Sequence, residues 1–270
     1  MALDSRHHAF IQSLLARGPQ PAVDCKKMFQ KLFDARPGEV EENFFDFLKV
    51  YNKHLDFFQL EIRGSTNQHD GTQYYGVVNK LASEPAKLAT QYSAAQIAYF
   101  KALVEAIVQE PSGELSSIDA LNLREDQTRD SQEASSSQSV SLPKLSLAQR
   151  DKVLGDLAAD KWLYRTEDGG VSLGIKSFLE LRSVFMNLEV PFCDVCNEAA
   201  IKAMRCQNED CSARMHSYCA KTKFQRPEIP RSCASCGSEW DCEGLDLNED
   251  IQPEPAENEQ RTRRRRRARG

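Results

Sequence analysis

Seven of the chain's nine cysteines and one of its five histidines fall within one short segment. The spacing is Cys193-x2-Cys196-x9-Cys206-x4-Cys211-x4-His216-x2-Cys219-x13-Cys233-x2-Cys236. Thiolate and imidazole are the donors that zinc prefers, and four of them saturate one ion tetrahedrally. Eight donors in four pairs therefore imply two structural zinc ions. With no coordination position left open, these ions activate no water. They stand in for a hydrophobic core in a segment too short to fold securely alone. The other use of clustered thiols is disulfide bonding. The N-terminal "MALDSRHHAFIQ" lacks a basic stretch followed by an apolar one, so it reads as no signal peptide and the chain as intracellular. In a reducing compartment, metal is the expected fate of such a cluster.

Spacing leaves two ways to share the donors. A cross-brace puts Cys193, Cys196, His216 and Cys219 on one ion and Cys206, Cys211, Cys233 and Cys236 on the other; a sequential arrangement is the alternative. The short gap from Cys211 to His216 suits the cross-brace. Cys242 lies outside the pattern. Cys25 sits in an apolar helical stripe and reads as core. His7 and His8 read as solvated, and His54 and His69 have no companions at ligand spacing.

The elements that must position this segment begin with three amphipathic helices. The first carries Phe10, Leu14 and Leu15. The second places Cys25, Met28, Phe29, Leu32 and Phe33 on one face and stops at Pro37-Gly38. The third, Glu39 to Leu55, aligns Phe44, Phe47, Leu48, Tyr51 and Leu55. The period then changes to two in "FFQLEIR", where Phe58, Leu60 and Ile62 point one way. "GSTNQHDG" is rich in turn formers, and "QYYGVVNK" reads as the return strand. Three helices closed by a hairpin is the winged-helix plan, expected over residues 1–84.

A second unit is expected over 85–190. "SAAQ" at Ser93 and "SLAQ" at Ser146 are capping boxes before apolar stripes. Asp168-Gly169-Gly170 reads as a hairpin turn. "IKSFLELRSVFMNL" reads as one closing amphipathic helix. This looks like a degraded second winged helix without an alignable repeat. Residues 111–143, polar and Ser-rich, read as a disordered insertion. The zinc segment is expected over 191–242. Residues 243–270 read as a disordered tail, first acidic and then arginine-rich, with seven arginines between Arg261 and Gly270. The fold class is α+β.

Composition removes several functions. A formal net charge of −5 gives the whole chain no general attraction to nucleic acid, so any DNA contact belongs to the arginine tail. The third helix starts with Glu39, Glu41, Glu42 and Asp46, which oppose phosphate, so protein docking is its expected role. No stretch is apolar enough to span a membrane. Nothing points to a small-molecule substrate.

The order C4HC3 with these gaps resembles the RING-variant and PHD finger families, both cross-braced. "CDVC", "CSARMHSYC", "KFQ" and "CASC…EW", placed after two winged-helix-like units, resemble more closely the element 1 family. These are the RING-type non-SMC subunits of the SMC complex that works in DNA repair. The resemblance is motif-grade from Phe192 to Trp240 and covers the rest in layout. It implies a nuclear ubiquitin ligase subunit that packs its winged helices against a MAGE-homology subunit, with a kleisin subunit completing the group. A ubiquitin-conjugating enzyme would be bound and its thioester positioned, with no ligase side chain attacking. Val195 matches the apolar residue that RING domains present to that enzyme; packing over the zinc is its other reading. Ala234 and Gly237 depart from the proline and basic residue of many active RINGs, which implies activity that depends on a partner. A non-catalytic structural or PHD-like chromatin-reading adaptor is the competing reading, opposed by Arg231 where PHD fingers carry an aromatic residue.

Overall fold

The computed structural model describes residues 3–80, 91–123, 145–240, 242 and 245. The expected insertion beyond 123 and the tail beyond 245 lie outside the described residues. The chain divides into two compact units. One holds residues 1–192 with 199–203, the other 193–198 with 204–270.

The larger unit opens with α1 (Ser5–Arg17). The Asp4 carboxylate accepts the Arg6 and His7 N–H groups, satisfying donors that a helix start leaves orphaned. Helix α2 (Ala22–Phe33) ends where Asp34 turns left-handed, and α3 (Val40–Leu55) follows a short 3-10 turn. Strands β1 (Gln20–Pro21), β2 (Leu60–Thr66) and β3 (Gln73–Asn79) form an antiparallel sheet ordered β1-β3-β2. Phe10, Leu14, Phe29, Phe44, Tyr51 and Tyr75 are among the buried side chains of its core. Cys25 belongs there too, as expected, and burial pushes its thiol up to about 12.

Two expectations in this half are corrected. Phe58 does not lie on the inner face of a strand. Instead Asp56–Phe58 is a 3-10 turn, and left-handed Gln59 redirects the chain so that the alternation starts only at Leu60. Phe57 and Phe58 are left 85% and 66% exposed. His7, read as solvated, is buried. Its ring meets Phe33, Phe47 and Tyr51, and its Nδ1 lies 2.6 Å from Asp4.

The second half repeats the element order. Helix α4 (Ala94–Gln109) starts at the Ser93 capping box, followed by β4 (Glu114–Ser116) and α5 (Ser117–Asn122). Helix α6 (Leu147–Ala159) starts at the Ser146 capping box, before β5 (Leu163–Arg165) and β6 (Gly170–Leu173). The sheet is ordered β4-β6-β5, the counterpart of the first. Gly169 takes φ +83° in the expected β5–β6 turn, a conformation glycine adopts at no steric cost.

Residues 111–123 are therefore not a disordered insertion. Leu115 and Ala120 are buried, β4 pairs with β6, and the Ser116 hydroxyl caps α5, which together offset the cost of ordering a polar segment. The single closing helix is also corrected. It splits at Leu181 into α7 (Ile175–Glu180) and α8 (Arg182–Asn187). Leu179 packs with Val78 and Ile175, while Leu181 enters the second core. Residues two apart lie about 200° apart on a helix, so one straight helix could not serve both.

The two halves join through that small cluster, through Arg63 donating to the Leu179 carbonyl (3.0 Å) and through Lys161 Nζ donating to the Pro19 carbonyl (2.6 Å). Ala199 and Ile201 are buried in the second core, which is why residues 199–203 group with this unit. No helix among the described residues is long and apolar enough to cross a membrane. The smaller unit holds β7 (Met204–Arg205), paired with β8 (Arg214–Met215), and α9 (Ser217–Phe224).

Candidate metal centre

Two knuckles of the same shape present the outer ligand pairs. In the first, Cys193 N–H donates to the Glu198 carbonyl (2.8 Å), and Asn197 N–H donates to the Cys193 carbonyl (2.9 Å). In the second, Cys233 N–H donates to Ser238 (2.8 Å) and Gly237 N–H to Cys233 (2.9 Å). Each loop closes on a left-handed residue, Asn197 at φ +57° and Gly237 at φ +77°. Such a turn brings two cysteines three apart onto one side of the backbone. The other donors come from the β7–β8 ribbon and α9. Cys206 directly follows β7, and its N–H donates to the Ala213 carbonyl (3.0 Å). His216 is the N-cap of α9, whose first turn carries Cys219.

The side chains converge in two groups: Cys193, Cys196, His216 and Cys219; and Cys206, Cys211, Cys233 and Cys236. Within each group all ligand atoms lie within 4.8 Å of one another. Of the two pairings the spacing left open, this is the cross-brace. His216 presents Nδ1, 3.4 Å from Cys196 Sγ and 3.8 Å from Cys219 Sγ. Cys206 and Cys236 sulfurs are 3.5 Å apart, and those of Cys211 and Cys233 3.8 Å. A disulfide needs about 2.05 Å, so these are not disulfides. Thiolates about 2.3 Å from a tetrahedral zinc stand roughly 3.8 Å apart, which is the spacing found. Two structural zinc ions fit the two groups, and each donor set is saturated.

Surroundings distinguish the groups. His216 is fully buried and stacked on Tyr218, with centroids 4.9 Å apart. Hydrogen bonds from Cys196 and then Cys219 hold the Cys193 thiol far below the usual thiol range. Burial opposes charge on His216, yet hydrogen bonding to Cys193 and Cys196 carries it up to about 9. In the second group Cys236 is exposed, and a side-chain hydrogen bond with Ser238 lowers its thiol to about 6. In each group a neighbouring sulfur moves the opposite way, Cys219 in the first and Cys206 in the second, because one thiolate is held at the expense of its hydrogen-bonded companions.

Val195 stands at the tip of the first knuckle and is 36% exposed. Ser235 holds the same place in the second. Cys242 joins neither group; its thiol lies 3.4 Å from the Trp240 carbonyl. His69, unremarkable in sequence, is half-buried among polar side chains of the larger unit. Only a long-range fold could reveal that, because its partners are about a hundred residues away or more.

Comparison with known proteins agrees with this architecture. Residues 193–236 match the model of a RING-like domain. Residues 7–181 match that of the Nse1 non-SMC component of the SMC5-6 complex. The chain is 26% identical over 264 residues to the non-structural maintenance of chromosomes element 1 homolog of Xenopus laevis, covering 96% of this chain and 92% of that one. The Homo sapiens homolog is 26% identical over 238 residues, covering 87% and 83% respectively. A chain of a solved structure named the Nse1-Nse3-Nse4 complex shares the fold, with a TM-score of 0.72 and 22% identity, covering 93% of this chain and all of that one. Because the second family model spans more than half of its residues, this chain belongs to the Nse1 family, the non-SMC component of the SMC5-6 complex.

Proposed function

We propose that this chain is a RING-type ubiquitin ligase subunit of a nuclear SMC complex serving DNA repair and chromosome maintenance. The eight donors act as structural zinc ligands, and the folded surface positions a ubiquitin-charged conjugating enzyme. The carrying observation is Val195. It is exposed at the knuckle tip rather than packed away over its metal group, which is where a contact with that enzyme has to be. The two repeated helix–strand–helix–helix–hairpin units are read as winged helices that dock a MAGE-homology subunit, with a kleisin subunit completing the assembly. The structurally similar chain comes from an Nse1-Nse3-Nse4 complex, which supports a three-protein grouping. The tail Arg261–Gly270 is proposed for nuclear import or for DNA contact through counterion release.

One observation favours dependence on a partner. Gly237 stands where many active RINGs carry a basic residue, and its φ of +77° would strain any side chain placed there. The chain therefore has to obtain that contact elsewhere. If it never does, the adaptor reading holds.

The test is co-purification with candidate MAGE-homology and kleisin proteins, followed by ubiquitin discharge from a panel of charged conjugating enzymes. Faster discharge, reduced by Val195→Ala, supports the ligase. No response from any conjugating enzyme leaves the non-catalytic adaptor.

A further inference from the structure

Strand β7 ends on Arg205 and β8 begins on Arg214, and the ladder sets these two residues directly opposite each other. Residues paired in this way share one face of a ribbon, and the neighbouring rung, Met204 with Met215, takes the other face. Met215 is buried, so the methionines face inward and the arginines outward. The Cys206 N–H donates to the Ala213 carbonyl, which makes the next rung, Arg205 with Arg214, the narrow kind. Its Cα atoms stand roughly 4.5 Å apart and its side chains are at their closest.

Like charges on such a rung destabilise a ribbon. Here they are not compensated from within. Among the described residues, neither guanidinium has an ion pair or a side-chain hydrogen bond. Asp194 lies beside the rung, its N–H donating to the Arg214 carbonyl (3.0 Å), yet its carboxylate pairs with neither arginine. Glu209 and Asp210, in the loop that joins the two strands, pair with neither as well. Arg205 is exposed and Arg214 half-buried. Burial, and then the charge of Arg205, hold Arg214 below its usual value, so the two cations act on each other.

An anion seated between them removes that repulsion. Each guanidinium is a planar fork that fills both oxygens of one carboxylate, so a single carboxylate serves one arginine and half the charge. A phosphodiester likewise carries one charge. A phosphate monoester carries close to two at pH 7 and offers three oxygens, enough for both forks at once. The rung is open on the outer face of the ribbon and does not enclose a small free ion, whereas a phosphate carried on a protein segment adds contacts along the strands. We propose that Arg205 and Arg214 form a binding site for a phosphate monoester, presented by a phosphorylated serine or threonine of a partner protein. The site stands apart from the ligase reading. It belongs to the ribbon between the metal groups, with Arg205 next to Cys206 of one and Arg214 two residues before His216 of the other.

The test uses the zinc-loaded full chain at about 0.15 M salt. The probes are a short peptide with one phosphoserine among uncharged residues, the same peptide with glutamate there, a single-stranded oligonucleotide and inorganic phosphate. The arginine tail is common to every variant, so its contribution cancels. Wild type should bind the phosphoserine peptide about ten-fold more tightly than the glutamate peptide. Arg205→Gln and Arg214→Gln should each lose about ten-fold for the phosphoserine peptide and keep both zinc ions. Arg205→Lys and Arg214→Lys keep the charge but not the fork; they should also weaken binding, and they decide the matter if a Gln variant loses zinc. Equal affinity for the phosphoserine peptide in wild type and all variants overturns the site. Equal affinity of wild type for the two peptides overturns the phosphate in favour of a carboxylate. Oligonucleotide binding that falls in the same variants overturns the monoester in favour of a nucleic-acid backbone. Inorganic phosphate that binds as tightly as the peptide overturns the protein-borne source.

Discussion

The two cysteine knuckles have the same backbone and opposite surroundings. Both close through a hydrogen bond to the residue two beyond the second cysteine and a left-handed residue just after it. The first presents exposed Val195, shares its metal group with fully buried His216 and runs into a loop clasped by Gln68 and His69. The second presents Ser235, includes exposed Cys236 and runs out to the buried Trp240. One local device, repeated, has thus been committed to two tasks. The second closes the module; the first also connects it along the backbone to the helical elements and offers an apolar tip.

The largest expected effect separates the two metal groups. His216→Ala removes the one buried nitrogen donor and should release one zinc ion, costing on the order of 3 to 5 kcal/mol, enough to unfold the smaller unit. The helical unit should stay folded, so thermal unfolding should show two transitions where one is lost. Cys236→Ser, at an exposed position that water can reach, should weaken the second site less. Metal competition with a chelator should strip that variant before wild type but after His216→Ala.

Val195→Ala and Ser235→Ala then compare the knuckle tips. Both sites are exposed, so each should change stability by less than about 0.5 kcal/mol. Only Val195→Ala should slow ubiquitin discharge. Equal effects would erase the functional difference between the knuckles.

Acidity should act on the loop after the first knuckle through His69. Burial, and then the Lys202 charge, hold His69 below its usual value, with Glu114 and Asp70 opposing and Ser172 and Tyr164 as neutral neighbours. A depressed histidine binds fewer protons folded than unfolded, so the contribution is full above about pH 6.5 and falls as pH drops below it. Protection across residues 199–203, measured relative to the intrinsic exchange rate at each pH, should fall between pH 7.5 and 5.5, and His69→Phe, which keeps the stacking, should abolish that fall. The smallest effect is a control away from both knuckles. Ser146→Ala deletes a capping box and should cost about 1 kcal/mol in the helical unit without changing zinc content.

Much of this was legible in sequence where the signal was local. Ligand spacing, the Ser93 and Ser146 caps and the apolar stripes of α2 and α3 each depend on residues a few positions apart. The cross-brace was legible only as one of two pairings, because the choice depends on how a two-rung ribbon folds back. Strand β4 and helix α5 were missed because Leu115 and Ala120 supply too little apolar pattern; pairing with β6, far along the chain, stabilises them. The Gln68–His69 clasp was illegible for the same reason. A turn-rich "NQHDG" looks like any loop until residues more than a hundred positions later arrive beside it.

The most direct measurement is the zinc count per chain by native mass spectrometry, on wild type, His216→Ala and Cys25→Ala. The account predicts two ions in wild type, fewer than two in His216→Ala and two in Cys25→Ala, with no disulfide in any of them. Two ions retained in His216→Ala, or a wild type holding fewer than two, would contradict it.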